Sequence, residues 1–98
     1  MFTRVMHIQS RPGKLDEVVA VYKEAVVPAL KLQPGFRSTM LLTDAAKQSG
    51  MSITIWASEA DQQASERAGF LLAQVVKVAH LLAGPPLQES FVATTYAD

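Results

Sequence analysis

The chain has 98 residues, with nine Lys and Arg against nine Asp and Glu and no cysteine. This length suits a single domain over residues 1–98 that buries one modest core. The formal net charge of zero lacks the basic excess of nucleic-acid-binding proteins, and the absence of cysteine excludes disulfides and thiolate metal ligands. No apolar run has the length of a signal peptide core or a membrane-spanning helix, so we expect a cytoplasmic protein without a membrane or nucleic-acid partner.

The first third of the chain has the apolar pattern of a strand followed by a helix. The side chains of residues 2–10 alternate between two faces in the pattern of a strand, with Arg4 and Met6 on one face. Apolar residues then recur from Leu15 to Leu30 at the spacing of a helical stripe that faces a core. Pro28 lies inside this stripe. Because proline removes a backbone hydrogen bond, we expect a kink or a looser last turn there.

The middle of the chain predicts a hairpin that leads into a helix. Two extended runs, Phe36–Asp44 and Met51–Ala57, are separated by a polar linker that ends in glycine, as suits an antiparallel hairpin. Ser58 stands three residues before Asp61, the spacing at which a serine oxygen caps the first turn of a helix. The second helical region is therefore predicted to begin near Glu59.

The last third of the chain predicts a divided helix and a final strand. Gly69 divides the helical region, since glycine is costly in a helix interior, and a longer apolar helix is expected from Phe70 to Ala83. The Gly-Pro-Pro sequence at residues 84–86 is a stop signal. The side chains of residues 88–96 again alternate between two faces, which predicts the last strand.

The resulting order of strand, helix, strand, strand, helix, strand is that of an α+β protein of the ferredoxin-like βαββαβ type. In this type one antiparallel sheet carries both helices on one face. The other face remains to be covered, and dimerisation through the two sheet faces is the natural solution, so we expect a homodimer. This open face is expected to include some of Val5, His7, Leu41, Ile53, Ile55 and Phe91.

Several short motifs, taken in order, resemble those of the antibiotic biosynthesis monooxygenase superfamily of dimeric α+β barrel proteins. The motifs are Pro12-Gly13, Pro28 and Leu30 before Pro34-Gly35-Phe36, Asp44 and Gly50 around the hairpin, and Ile55-Trp56-Ala57-Ser58 followed by Glu59 and Asp61. The resemblance covers nearly the whole chain. It implies a homodimer whose two sheets make a barrel and whose small-molecule cavity lies between each sheet and its own helices.

The resemblance also implies an activity, a cofactor-independent monooxygenase acting on a small aromatic or hydrophobic molecule. A function of a different class remains open beside it: a non-catalytic ligand-binding or stress-related dimer whose cavity is filled by Met40, Trp56 and Leu72. The enzyme would turn over an aromatic compound, whereas the non-catalytic dimer would only bind it or not bind it at all.

Haem degradation is a third activity of the superfamily. That branch uses an Asn on the first strand, a Trp in the second helical region and a His farther along as haem ligand. By resemblance the Asn position falls on Met6 and the Trp position near Ala64 or Ser65, and only the His has a match, in His80. Two of the three positions depart from the haem-degrading pattern, so haem degradation is disfavoured and no cofactor is expected.

Five residues are candidates for the site. His80 is the candidate catalytic base, because an imidazole exchanges protons near neutral pH and a quinol-type oxidation begins with loss of a proton. Arg4 and Met6 share a strand face, where Arg4 is suited to an acidic or phenolate oxygen. Tyr22 and Trp56 are candidate ligand contacts, although packing in the core is the commoner role of large aromatic residues. No metal site is predicted, since neither histidine has carboxylates at matching spacing.

Overall fold

The computed structural model describes residues 1–97, which form four strands, four α-helices and two irregular helical turns. The elements in chain order are β1 (Phe2–Gln9), α1 (Leu15–Val21), a π-helical turn (Tyr22–Val26), α2 (Val27–Lys31), β2 (Phe36–Asp44), β3 (Ser49–Trp56), α3 (Glu59–Arg67), α4 (Phe70–Val78), a 3-10 turn (Ala79–Leu81) and β4 (Leu87–Val92).

The four strands form one antiparallel sheet in the order β2-β3-β1-β4. Thr54 on β3 lies between Arg4 on β1 and Thr39 on β2, so these three side chains share one face. The helices pack against this same face, and the predicted ferredoxin-like α+β fold is confirmed. We call the helix-covered side of the sheet the inner face and the opposite side the outer face.

The first helical segment is irregular at the place where the proline predicted a disturbance. The N–H of Val27 bonds to the carbonyl of Tyr22, a spacing of five residues, and Pro28 then occupies the first turn of α2. A proline is tolerated there because the first N–H groups of a helix need no intrahelical acceptor. The π-helical turn thus begins at Tyr22 and shifts the phase of the stripe that follows it.

The hairpin and the helix cap were also predicted correctly. The Oγ of Ser58 accepts a hydrogen bond from the N–H of Asp61 at 3.1 Å, which caps α3. Gly35 has a φ of +79°, and a Cβ on this residue would lie 2.3 Å from the carboxyl carbon of Asp61. Glycine is therefore required at position 35 both by its backbone conformation and by the close approach of the cap.

Two element ends lie four residues or more before the predicted ones, where tertiary backbone bonds compete. Helix α4 ends at Val78, before the predicted Ala83, since the following carbonyl of Leu81 accepts from the N–H of Arg11 and the N–H of Ala83 bonds to Gln9. The last strand ends at Val92, before the predicted residue 96, because β1 offers no strand partner beyond Phe2.

The apolar core lies on the inner face in two clusters. One contains Val18, Leu81 and Leu82, and the other contains Val26, Leu30 and Trp56. Among residues 1–97 no helix is long and apolar enough to cross a membrane.

The outer face is apolar and carries no element of the described chain. Its apolar residues, given by the alternation of the paired strands, are Val5, Met40, Leu42, Met51, Ile53, Ile55, Leu87 and Phe91. Of the six residues from which this face was expected to draw, Leu41 lies elsewhere: β2 has a bulge between Phe36 and Ser38, and Leu41 lines a cavity on the inner face. The remaining residues named for the open face lie on it.

Candidate functional site

An apolar cavity with an accessible volume of about 70 Å³ lies between the inner face of the sheet and the helices. Such a volume accommodates several water molecules or a small organic group. Its walls come from all three parts of the fold: the sheet, the first helical segment and α4. The lining residues are Arg4, Met6, Ile8, Val18, Tyr22, Val26, Leu30, Leu41, Ser52, Thr54, Leu71, Gln74, Val75, Val78 and Pro86.

Arg4 is the charged residue in this lining. It is only 3% exposed, and its Nη1 donates to the Oγ of Ser65 at 3.3 Å and lies 3.5 Å from a carboxylate oxygen of Glu66. Burial lowers the pKa of the Arg4 guanidinium, and the neighbouring Glu66 partly offsets this effect. An arginine nevertheless stays protonated in proteins, so Arg4 places a positive charge at the cavity wall.

The remaining N–H groups of Arg4 are not used within residues 1–97, because Nε and Nη2 bond to no described residue. The fully enclosed side-chain polar atoms without a partner in this part of the chain belong to Gln48, Trp56 and Gln62. Arg4 as a whole is almost completely buried and lines the cavity.

A cluster of hydroxyl groups forms a second polar part of the wall. The Tyr22 hydroxyl is hydrogen-bonded to Thr39 and, at 2.8 Å, to the Oγ of Ser52, and Thr39 is bonded to Thr54 at 3.0 Å. These hydroxyls come from the π-helical turn and from two neighbouring strands. Tyr22 and Thr39 also line a groove beside the edge strand β2.

Gln74 supplies the polar group on α4. Its side chain is buried in the wall, its Oε1 accepts from the Nζ of Lys77 at 2.8 Å, and its Nε2 makes a long bond of 3.4 Å to the carbonyl of Phe70. Lys77 also bonds to the carbonyl of Ala25 on the first helical segment. Because Lys77 occupies the amide oxygen, Gln74 is left with N–H groups to offer.

Trp56 lies behind Arg4 and outside the cavity lining. It is fully buried, its ring meets that of Phe36 edge to face, and the guanidinium carbon of Arg4 lies 5.3 Å from its ring centre. This places Trp56 as a support for Arg4, since a cation over an indole ring is attracted by the negative face of the ring. Met6 and Tyr22 lie in the lining as expected.

His80 lies apart from the other four candidates. It is exposed, in the 3-10 turn, and does not line the cavity. The lining residues of α4 are Leu71, Gln74, Val75 and Val78, which share one helical face, and a residue two positions after Val78 projects away from that face.

The other histidine lies on the opposite side of the sheet. The Nε2 of His7 is 2.6 Å from a carboxylate oxygen of Glu89 on the outer face. Within residues 1–97 no group of three or more His, Asp and Glu side chains is arranged to hold a metal ion.

The sequence analysis missed the polar partners of Arg4 and Tyr22. Ser52 and Thr54 alternate with Trp56 along β3, so the period of a strand puts them on the same face, and Gln74 interrupts the apolar stripe of α4. Those two signals were available. The pairing of Arg4 with Glu66 had no such signal, because it depends on how α3 crosses the sheet.

The match with known families decides the affiliation of this chain. The family model for antibiotic biosynthesis monooxygenases matches residues 1–77. The chain belongs to the antibiotic biosynthesis monooxygenase family. A search of curated proteins returned no significant match.

Solved structures share the fold at low sequence identity. The chain is similar to SnoaB from Streptomyces nogalater, described as a cofactor-independent oxygenase, with 22% identity, a TM-score of 0.79 and coverage of 97% of this chain and 94% of that one. It is similar to the ActVA-Orf6 monooxygenase of Streptomyces coelicolor in complex with nanaomycin D, with 19% identity, a TM-score of 0.81 and coverage of 98% and 89%. It is also similar to Rv0793 from Mycobacterium tuberculosis, with 16% identity, a TM-score of 0.76 and coverage of 99% of this chain and 98% of that one.

Proposed function

We propose that the protein is a cofactor-independent monooxygenase that oxidises a small electron-rich aromatic compound of the phenol, quinol or anthrone type. The observation that carries this proposal is the apolar cavity with a buried arginine in its wall. The family affiliation and the likeness to SnoaB and to the ActVA-Orf6 monooxygenase support it. Few polar groups in an apolar pocket are what orient a small ligand.

The proposed roles follow from the position of each side chain. The aliphatic residues of the helices hold the flat ring, Arg4 and the Tyr22 hydroxyl contact the ring oxygen, and Met6 packs beside Arg4. Trp56 fixes the guanidinium from behind. With an anthrone, the ring methylene is oxidised to a ketone while O₂ supplies the ketone oxygen and one molecule of water, so the substrate itself is the reductant.

Oxygen uptake tests this proposal directly. The purified protein, dialysed against EDTA, is incubated with dithranol and with a panel of electron-rich quinols in an oxygen electrode, and the quinone product is followed by absorbance. We expect protein-dependent oxygen uptake with at least one compound. Failure of the whole panel to raise uptake above the rate without protein would refute the proposal for this substrate class. His80→Ala tests the predicted base in the same assay.

A second candidate function is a non-catalytic ligand-binding protein. It is favoured by one observation: the lining, all of it within residues 1–97, contains no imidazole and no carboxylate to take a proton. In one form this hypothesis had Met40, Trp56 and Leu72 filling the cavity. That form is wrong, because none of the three lines the cavity: Met40 and Leu72 are about half exposed or more, and Trp56 is buried behind Arg4. A rise in Tm with aromatic compounds but no oxygen uptake would favour binding alone.

We further propose that two copies of the chain associate through their outer sheet faces. On this face Met40, Leu42, Leu87 and Phe91 are each about half exposed or more. Large exposed apolar side chains on one face of a small protein mark an interaction site. A second copy is the proposed occupant, because members of the family resemble dimeric barrels and an antiparallel sheet covered on one side needs a second layer. A cytoplasmic location stays a prediction.

A further inference from the structure

We propose that Tyr22 and Leu41 limit the length of the ligand that the cavity accepts, so that the protein takes a phenol or quinol with a single ring and excludes linear compounds of three fused rings. We call these two residues the partition. This inference rests on the proposed function and narrows its substrate class, from which it removes the three-ring anthrones. It gives the Tyr22 ring a steric role beside the proposed contact of its hydroxyl with the ring oxygen.

The first support is that the cavity and the neighbouring groove share wall residues. The cavity has a volume of about 70 Å³ and the groove one of about 250 Å³, and Tyr22 and Leu41 line both. Apart from Leu41, the sheet residues that line the cavity lie on β1 and β3, whereas those that line the groove lie on β2. Because β2 is the edge strand and pairs with β3, the groove lies beside the cavity toward the edge of the sheet, with the partition between them.

The helical side of the partition shows the same arrangement. Val18 and Val26 line the cavity, while Val19 and Lys23 line the groove. Each groove residue follows a cavity-lining residue by one position along the chain, which places it on a neighbouring face of the helix. Tyr22 belongs to both sets, so it stands where the face toward the cavity meets the face toward the groove.

Hydrogen bonds hold the Tyr22 ring across the gap between the helical segment and the sheet. Its hydroxyl is bonded to the Oγ of Ser52 on β3 at 2.8 Å and to the hydroxyl of Thr39 on β2, which in turn is 3.0 Å from that of Thr54. The side chain is thus tied to the helical backbone at one end and to two strands at the other. A rotation that moved the ring aside would leave these hydroxyls without their partner, which is unfavourable in a half-buried site.

The volume of the cavity decides which ligands the partition excludes. An apolar cavity of about 150 Å³ holds one benzene ring. The cavity of this chain is smaller, so it receives a single ring when neighbouring side chains adjust, whereas three fused rings in line need the space of the groove as well. The partition stands between the two spaces.

The experiment compares 4-ethylphenol, which has one ring, with 2-hydroxyanthracene, which has three rings in line and carries the same hydroxyl group. Equilibrium dialysis against the full chain gives a Kd for each compound. The hydrophobic effect alone makes the three-ring compound bind more tightly, because it buries more apolar surface. We expect the opposite order for the natural chain, with 2-hydroxyanthracene bound more weakly than 4-ethylphenol.

Variants of Tyr22 assign this order to the partition. Tyr22→Ala joins the cavity to the groove, and we expect it to shift the ratio of the two Kd values by about tenfold or more in favour of 2-hydroxyanthracene, since the added rings then bury apolar surface. Tyr22→Phe keeps the ring and removes only the hydroxyl, so its ratio should stay close to that of the natural chain. Val19→Ala is the matched control, because Val19 lines the groove but not the cavity, and it should leave the ratio unchanged.

Leu41→Ala opens the partition from the sheet side. We expect it to shift the ratio in the same direction as Tyr22→Ala, because Leu41 lines both spaces. Circular dichroism checks that each variant is folded. If Tyr22→Ala does not fold, Leu41→Ala gives the decisive comparison.

The outcomes separate this inference from the proposed function. Tighter binding of 2-hydroxyanthracene than of 4-ethylphenol by the natural chain, or an unchanged ratio in a folded variant that opens the partition, overturns the inference and leaves oxygen uptake as a separate question. An equal shift in Tyr22→Phe and Tyr22→Ala overturns the steric role of the ring. Selection by size without oxygen uptake supports the inference and refutes the monooxygenase. If the natural chain binds neither compound, the inference is overturned, and oxygen uptake alone decides the proposed function.

Discussion

The guanidinium carbon of Arg4 lies 5.3 Å from the centre of the Trp56 ring, and both side chains are almost completely buried. A strand residue of the cavity lining thus lies against the strand-end Trp56, which itself stays out of the cavity. The two residues are on neighbouring strands of the inner face, so the sheet itself sets their separation. Trp56 acts on the site through Arg4.

Trp56→Ala should therefore lower the free energy of unfolding by about 3–5 kcal/mol, because it removes a large buried ring and leaves a cavity beside Val26 and Leu30. Urea unfolding followed by circular dichroism measures the change. A loss below about 1 kcal/mol, the size typical of surface positions, would contradict the assignment of Trp56 to the core.

Gly35→Ala should destabilise the protein more than Gly13→Ala. Both glycines have a positive φ, which costs an L-residue about 1–2 kcal/mol, but a Cβ at Gly13 meets nothing within 4 Å whereas one at Gly35 collides with Asp61. Thermal unfolding of the two variants side by side gives the comparison. An equal fall in Tm for the two variants would show that the chain near the α3 cap moves aside without cost.

Tyr22→Phe should lower the free energy of unfolding by about 1–2 kcal/mol, since it deprives the hydroxyls of Ser52 and Thr39 of a partner. A double-mutant cycle with Thr39→Val isolates the contact, and we expect the two losses to be non-additive. Additive losses would mean that Tyr22 and Thr39 do not interact in solution.

Phe91→Glu should convert a dimer into monomers, because it places a charge within the proposed interface on the outer face. Leu32→Glu is the matched control, since Leu32 is 84% exposed at the end of α2 and away from the sheet. Sedimentation equilibrium gives the mass of each variant. A natural chain that sediments as a monomer at micromolar concentration would refute association through the sheets.

The fold was predictable from the sequence because its signals are local. Alternation, helical spacing, Ser58 as a cap and the glycine and proline turns each act over a few residues, and all of them agree on one element order. The errors arose where distant backbone decides, as after the end of α4, where Leu81 and Ala83 bond to Arg11 and Gln9. A bulge in β2 likewise moved Leu41 to the other face.

The candidate site was predictable in part. Arg4, Met6 and Tyr22 follow from strand and helix periods and lie together in the cavity wall. His80 was named for its chemistry, yet its position relative to Val78 puts it off the lining face of α4, and that could have been read from the helical period. The contact between Arg4 and Glu66 could not, since it depends on packing between elements far apart in the chain.

Whether the cavity is the place of reaction is tested most directly by filling it. Val75 lines the cavity, whereas the adjacent Val76 is 63% exposed and does not, so Val75→Phe and Val76→Phe add the same ring at neighbouring positions with opposite consequences. Oxygen uptake is measured with the substrate that the natural chain turns over best. We expect Val75→Phe to abolish uptake while it remains folded by circular dichroism, and Val76→Phe to retain the natural rate. A folded Val75→Phe variant with the natural rate would contradict the assignment of function to this cavity.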